Sequence, residues 1–347
     1  MSKNTVPAWT ATTPGYPGTL QLSEHHVPST PSKGHVLVEI HAAALNPVDI
    51  QIMNLPINSL PGLRGPKVVG REFSGIVIAA APGVPFQKGD KVMGIDLNAF
   101  ASGFLTTIAH IDTRKTCIIP KPQHMTWIQA ACLPLAWLTA RSMIEKCAPF
   151  MKSSTPSHNK LVVLGGSSAS GIYTIKIAAQ RGWTVLSSCS GRNADFVKSL
   201  GAAQIVDYTS AADAVATAVA AFQPDAIVDC VGGTACVGLA PQYVTIVGDK
   251  TSRATLGGSL GYMTNPRMVL RWLLGYLGLG KSYQAISLEV RPDWLQEAAK
   301  LEGEDQIVVD SVFAFDRVDE GFKKLDTGRA RGKVVIEVVP QAEESKL

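Results

Sequence analysis

Two short turns carry the residue types best suited to chemistry. The first is Gly165-Gly166-Ser167-Ser168-Ala169-Ser170-Gly171. It follows the apolar run Leu161–Leu164 and precedes a stretch with helical periodicity, reaching Arg181. A strand-to-helix turn of this kind points backbone N–H groups and the positive end of a helix dipole at one place, where an anion can sit. Ser167, Ser168 and Ser170 add hydroxyl donors, and Gly171 lets the helix approach the strand closely. The bland alternative is a serine-rich N-cap of a structural helix. The second turn, Ser188-Cys189-Ser190-Gly191-Arg192-Asn193, ends the next predicted strand. NAD sites place an acidic residue there to bond the ribose hydroxyls. Here no carboxylate occurs before Asp195. Hydroxyls and a guanidinium suit a 2′-phosphate, which predicts NADPH over NADH. A solvated surface arginine is the alternative for Arg192.

Positioning these turns requires alternating elements. Strands are predicted at Leu161–Leu164, Thr184–Ser188, Gln204–Val206, Ala226–Cys230 and Tyr243–Val247, with helices near residues 171–181, 194–200 and 211–221 between them. That alternation means parallel βαβ units. The preceding part is β-rich, with strands at Gly34–Ala42 and Phe73–Ala79 and, within Phe86–Gly94, a Gly-Asp turn followed by a strand; short strands with turns and frequent prolines between them suggest a barrel-like domain. Two helices, residues 126–133 and 138–144, flank Pro134. A further strand is predicted over Gly332–Val339. No internal repeat is present.

The chain has 347 residues, which favours two domains. A formal charge of +4, without basic runs, excludes a nucleic-acid footprint. The six cysteines form no C-x-x-C pair or zinc-finger spacing, so free thiols in a reducing compartment are expected. The N-terminal residues show no secretory signal, and Met268–Gly280 is too short to span a bilayer. That apolar segment reads as a buried or interface helix. Its Trp272, Leu273, Leu274, Tyr276 and Leu277 would line a long apolar substrate pocket or a dimer face. The final Ser345-Lys346-Leu347 matches a peroxisomal address read by an import receptor at a free C terminus. A peroxisomal matrix location is therefore expected, or a cytoplasmic one if the tail is unused.

Further segments carry a family resemblance. They are Ala44-Leu45-Asn46-Pro47-Val48-Asp49, Val69-Gly70-Arg71-Glu72-Phe73-Ser74-Gly75, Gly89-Asp90-Lys91-Val92, and Ala130-Ala131-Cys132-Leu133-Pro134 continuing to Thr139-Ala140. Leu200-Gly201-Ala202, Val206-Asp207-Tyr208 and Arg331-Gly332-Lys333-Val334-Val335 complete the series. In order and spacing they resemble the medium-chain dehydrogenase/reductases, in the zinc-independent quinone and enoyl reductase branch. The resemblance implies an α/β fold: a GroES-like β-barrel domain plus a doubly wound, parallel-sheet Rossmann domain. The first would comprise residues 1–134 and 311–347 and the second residues 135–310, with NADPH held in the cleft between them. It implies Asn46 and Thr139 near the nicotinamide, and Ser190, Arg192 and Tyr208 around the 2′-phosphate. Val231 and Gly232 would follow the ribose, and Lys333 would add charge. Tyr208 as a core aromatic and Lys333 as a surface lysine are the alternatives. Zinc-dependent members resemble this layout but have cysteine near Asn46 and histidine at Arg71, so no metal site is expected.

Without a Lewis acid, the chemistry that fits is hydride addition to an activated C=C, in an enone or enoyl thioester, or to a quinone. The substrate would be a small and apolar molecule. No convincing proton donor stands out. Asn46 and Tyr262 are the weak catalytic candidates, Tyr276 and Tyr283 suit packing better, and Asp49 suits a structural acceptor better than a base. The alternative function is a non-catalytic NADPH-binding structural or sensory protein. Monomer and homodimer both remain open.

Overall fold

Strands β1 (Lys3–Ala11), β2 (Gln21–Pro28) and β3 (His35–Leu45) open the chain, followed by helix α1 (Pro47–Met53). Strands β4 (Lys67–Val68), β5 (Glu72–Ala80), β6 (Lys91–Ile95), β7 (Ile108–Asp112) and β8 (Cys117–Pro120) come next, then helix α2 (Trp127–Cys147). The alternating strand and helix portion comprises β9 (Lys160–Leu164), α3 (Ala169–Gln180), β10 (Thr184–Cys189), α4 (Ala194–Ser199), β11 (Gln204–Asp207) and α5 (Ala214–Phe222). It continues through β12 (Ala226–Asp229), β13 (Gln242–Thr245), α6 (Pro266–Tyr276) and β14 (Ser282–Ala285). Helix α7 (Pro292–Ala298), strand β15 (Val309–Ala314), helix α8 (Val318–Asp326) and strand β16 (Lys333–Glu337) close the chain. This computed structural model describes residues 3–62, 64–249, 265–303 and 306–340. Tyr262 and Ser345-Lys346-Leu347 lie outside the described residues.

The chain divides into two units. One holds the described residues of 1–135 and 290–340, the other those of 136–249 and 265–289. The return to the first unit falls at 289/290 rather than at the predicted 310/311. The reason is local: α7 packs on β8, and His124 Nε2 lies 2.9 Å from the Leu301 carbonyl.

In the first unit a seven-stranded sheet runs β15-β16-β3-β5-β6-β8, with β7 also paired to β3. A three-stranded sheet, β2-β1-β4, accompanies it. The core gathers Val36, Val38, Ile40 and Leu45 of β3 with Phe73, Val77, Val92 and Ile336. Central strand β3 is buried over most of its length, as its apolar run requires.

In the second unit a six-stranded, wholly parallel sheet runs β11-β10-β9-β12-β13-β14. By chain position this is the order 3-2-1-4-5-6 of a doubly wound dinucleotide fold, whose switch point lies between β9 and β12. Val162, Leu164, Leu186 and Ile227 of the central strands are buried among α5 and Tyr243.

Residues 127–147 form one helix where the sequence predicts two around Pro134. Proline lacks an N–H and crowds the carbonyl four residues back, so it normally ends a helix. Here Leu135, the next residue, donates its N–H to Glu72 Oε2 at 2.7 Å. A buried carboxylate thus takes up a backbone donor at the break, and the helix continues.

Segment Pro266–Tyr276 is helical as predicted, but it is not buried: Trp272, Leu273 and Tyr276 are exposed. Among the described residues no helix is long and apolar enough to cross a membrane.

Candidate nucleotide and reductase site

The two turns found in the sequence meet at the C-terminal edge of the parallel sheet. Gly165 donates its N–H to Ser188 Oγ at 3.0 Å, and Gly166 donates to the Ser188 carbonyl at 2.9 Å. Asn193 Nδ2 donates to Ser167 Oγ at 3.2 Å and to Ser190 Oγ at 3.4 Å. The first and second turns are therefore held side by side, although more than 20 residues separate their centres. Tyr208 joins them, since its N–H donates to the Cys189 carbonyl at 3.2 Å.

The three glycines of the first turn each have a geometric reason. Gly165 has φ +85°, and a Cβ there would collide with Val231. A Cβ at Gly171 would strike the Gly165 carbonyl, so its absence lets α3 start against the turn. A Cβ at Gly166 would strike Ser187 Oγ. Ser168 is the N-cap: its Oγ accepts from the Gly171 N–H at 3.1 Å. Helix α3 begins at Ala169, two residues before the predicted start. Capping and anion binding are thus compatible here rather than alternatives. Ser168 satisfies one first-turn donor, and the Ala169 and Ser170 N–H groups find no acceptor among the described residues. This cradle, closed to side chains and lined with unbonded N–H groups, fits a pyrophosphate.

Across the switch point, Val231 and Gly232 both donate their N–H groups to Asp229 Oδ1, at 3.0 and 2.8 Å. Asp229 also accepts from Thr245 Oγ1 at 3.0 Å. Burial raises its carboxyl pKa, and these donors lower it. They fix the loop after β12 beside Gly165.

At the outer end, Arg192 is exposed, Ser190 is half-buried, and Tyr208 is 57% exposed, so Tyr208 is not a core aromatic. A carboxylate that the second turn itself lacks comes from the next strand. Asp207 Oδ1 accepts from Thr209 N and Oγ1, at 2.8 and 2.7 Å, and its side chain lies against Gly191. The Thr209 N–H, its hydroxyl and the Gly191 N–H hold the Asp207 carboxyl below its usual range. Sequence reading quoted Asp207 only as part of a motif. Its nearness to Gly191 follows from the pairing of Cys189 with Asp207 across β10 and β11.

The first unit contains a second cluster. Lys333 is buried, not a surface lysine, and its ammonium donates to Glu72 Oε1, Asn46 Oδ1 and, at 3.3 Å, the Leu45 carbonyl. Asn46 Nδ2 donates to Glu72 Oε1 at 2.8 Å and to the Ala44 carbonyl at 3.3 Å. Both amide hydrogens and the carbonyl oxygen of Asn46 are therefore engaged within the protein. Burial drives the Glu72 carboxyl above its usual range, and Lys333 pulls it back. The Asn46 N–H donates to Asp49 Oδ2 at 2.7 Å, which makes Asp49 the structural acceptor expected of it at the start of α1. Burial pushes the Asp49 carboxyl up to about 7 against the pull of Arg71. Asp49 Oδ1 and Arg71 Nε have no partner among the described residues, while Arg71 Nη1 reaches the Asn98 carbonyl at 2.9 Å. Sequence reading named Asn46 and Lys333 but missed Glu72, which joins them. The motif containing Glu72 was visible; its link to Lys333 was not.

Thr139 is buried in α2, within the second unit. Tyr283 is buried and donates to Asp249 Oδ1 at 2.8 Å, which accounts for it as packing. All six cysteines are free, and no group of three potential metal ligands occurs among the described residues.

A parallel sheet of this order, with a glycine-shaped turn at its switch point and a separate β domain built from both chain ends, defines a dinucleotide-dependent oxidoreductase fold. Comparison with known proteins agrees. The "Alcohol dehydrogenase GroES-like domain" family matches residues 32–120, and the "Zinc-binding dehydrogenase" family matches residues 200–336. The trans-enoyl reductase pgmF of Aspergillus terreus is 31% identical over 87% of this chain and 86% of its own length. The mitochondrial NAD(P)H oxidoreductase RTN4IP1 of Mus musculus is 28% identical over 96% of this chain and 89% of its own. The structure of the quinone oxidoreductase from Coxiella burnetii superposes with a TM-score of 0.76 at 25% identity, covering 97% of this chain and 100% of that one. The chain belongs to the medium-chain dehydrogenase/reductase family, in its quinone and enoyl reductase branch. It is an NAD(P)H-dependent oxidoreductase.

Proposed function

We propose that this protein is an NADPH-dependent, zinc-independent reductase acting on an activated C=C, in an enone or enoyl thioester, or on a quinone. The observation that carries the cofactor preference is the Asn193 tie. It sets Ser190 and the exposed Arg192 beside the glycine-shaped turn, where a 2′-phosphate would meet a hydroxyl and a guanidinium. Bound NADPH would supply the hydride. The turn from Gly165 to Gly171 would bind its pyrophosphate through the Ala169 and Ser170 N–H groups. Val231 and Gly232 would flank the ribose. Asn46, kept in one orientation by Glu72 and Lys333, would serve the nicotinamide.

Zinc independence is supported by the same cluster. Asn46 and Arg71 stand where zinc-dependent members have cysteine and histidine. Asn46 is committed to internal hydrogen bonds, and the Arg71 guanidinium, always protonated, cannot ligate a cation. The relatives, a trans-enoyl reductase and a quinone oxidoreductase among them, supply the substrate classes.

The test is a turnover assay with NADPH and NADH against a panel of quinones and α,β-unsaturated carbonyls, together with metal analysis. Expected are NADPH oxidation with at least one acceptor, no stoichiometric zinc, and loss of the NADPH preference in Arg192→Ala. Tight NADPH binding without turnover on any acceptor would favour a non-catalytic nucleotide-binding role. Equal use of NADH with a neutral Arg192→Ala would reverse the cofactor assignment.

We also propose a peroxisomal location through Ser345-Lys346-Leu347 acting as a free C terminus on the import receptor. An N-terminally tagged protein should give a punctate signal, and deletion of the tripeptide should make it diffuse. A diffuse signal from the intact chain overturns the assignment.

A further inference from the structure

Two loops leave the C-terminal edge of the parallel sheet side by side, one after β12 and one after β13, and a single carboxylate serves both. Asp229 ends β12 and pairs in register with Thr245 at the end of β13; both residues are fully buried. Asp229 Oδ1 accepts the Val231 and Gly232 N–H groups of the first loop. Asp229 Oδ2 accepts the Thr245 hydroxyl at 3.0 Å. Thr245 Oγ1 in turn accepts two N–H groups of the second loop, from Val247 at 3.2 Å and from Gly248 at 2.9 Å. The far end of that loop is tied separately. Asp249 accepts from Tyr283 Oη at 2.8 Å and pairs with Arg271 of α6.

The inventory of donors and acceptors fixes the direction of each bond. A hydroxyl has one proton and two lone pairs. Thr245 uses both lone pairs on the two amides, so its proton points at Asp229. An ionised carboxylate only accepts, at about four positions. On Asp229 three of these face Val231, Gly232 and Thr245, and the Tyr243 hydroxyl bonds the same carboxylate. A donor cannot replace an acceptor here without releasing a backbone N–H, and an unpaired buried N–H is costly enough to move the loop that carries it. The state of Asp229 thus reaches Val247 and Gly248 through a single hydroxyl.

We propose that Asp229 and Thr245 are positioning residues, a carboxylate–hydroxyl clamp that sets the loops after β12 and β13 together and so preforms this edge of the nucleotide site. The inference rests on the nucleotide reading given under the proposed function. Ligands of doubly wound sheets lie outside the carboxyl ends of the strands, at the switch point. The first loop stands there, since a Cβ on Gly165 would meet the Val231 side chain. Strand β13 adjoins β12, so the second loop extends the same rim. A rim assembled before the ligand arrives has less freedom to lose on binding. Ser190 and Arg192 follow β10, on the other side of β9 from the clamp. The clamp therefore governs affinity for the part that NADPH and NADH share, not the choice between them.

Asp229→Asn tests the coupling in the full chain without cofactor. The new amide oxygen can keep Val231 and Gly232, while its NH2 group turns a third donor on Thr245 Oγ1. Amide hydrogen exchange at Val247 and Gly248 should then accelerate about tenfold or more, although their bonds are to Thr245. Thr245→Val should match it, and Thr245→Ser, which keeps the hydroxyl, should exchange as the wild type does. Calorimetric titration of the two Thr245 variants reads the positioning. NADPH and NADH should both weaken about tenfold in Thr245→Val, with their ratio unchanged, and recover in Thr245→Ser. Protected Val247 and Gly248 in a folded Asp229→Asn overturn the clamp; if that variant does not fold, unchanged exchange in Thr245→Val does so. A loosened loop with unaltered affinity overturns the positioning role. Wild-type protein that binds neither dinucleotide overturns the nucleotide reading instead, and the exchange data still decide whether the carboxylate and hydroxyl couple the loops.

Discussion

The ammonium of Lys333 and the carboxylate of Glu72, 261 positions apart in the chain, form a buried ion pair that also fixes the Asn46 side chain. Strand β16 brings the lysine beside β3, and β5 brings the glutamate to the other side of β3. Removing one partner leaves an uncompensated charge in the core. Lys333→Met or Glu72→Gln should each lower stability by about 3–5 kcal/mol, whereas the Lys333→Met, Glu72→Gln pair should lose far less than the sum of the two single changes. Denaturant titration of the four proteins gives the coupling. Additive losses would show that the pair is not energetically linked.

Asp49 predicts a pH dependence. Its carboxyl is raised from 3.8 to about 7 by burial, so the folded state retains the proton over a range in which the unfolded chain has released it. Stability contributed by this group is therefore full below about pH 4, falls as pH rises towards 7, and levels off above. At about 1.4 kcal/mol per unit of pKa, the decline amounts to a few kcal/mol at most. Asp49→Asn should flatten this part of the profile while keeping the acceptor for the Asn46 N–H. Thermal midpoints between pH 4 and 8 check it; an unchanged slope in the variant would assign the decline elsewhere.

Gly171→Ala tests the cradle. The new methyl must displace α3 from the Gly165 carbonyl, at a cost of about 1–3 kcal/mol. Under the proposed function, NADPH affinity should fall at least tenfold even where the variant stays folded. Calorimetric titration at a temperature well below the melting point separates the two effects. Unaltered affinity in a destabilised variant would leave Gly171 a packing residue only.

Asp207 bears on cofactor choice. Its carboxylate beside Gly191 would lie near a 2′-phosphate held by Ser190 and Arg192. Two like charges at such a range in water repel by about 1 kcal/mol or less. Asp207→Asn should therefore tighten NADPH by up to about fivefold and leave NADH unchanged. Weaker binding of both cofactors would mean that the carboxylate's main role is to hold the Thr209 and Gly191 backbone.

Much of the nucleotide-binding unit was legible in the linear sequence. Short apolar strands such as Leu161–Leu164 are buried on both faces, so each reads as a continuous hydrophobic run, and glycine and serine mark the turns that follow. Their order alone dictated parallel βαβ units and placed Gly165–Gly171 at the edge where a phosphate would bind. The helix through Pro134 was not legible, because the donor beside the proline is satisfied by Glu72, 63 residues away. Nor was the exposure of α6, since an apolar helical pattern looks the same whether it faces a core or solvent.

The sequence by itself determined the βαβ order, the carboxylate-free turn at Ser188–Asn193 and the family resemblance, because those rest on local periodicity and on residue types at fixed spacing. Only the tertiary structure decided that Asn193 ties the two turns together, that Asp207 returns a carboxylate to Gly191, and that Lys333 is a buried partner of Glu72 and Asn46. Each of these depends on strand register between distant segments. Register is set by how whole sheets bury their apolar faces, which no local stretch of sequence contains.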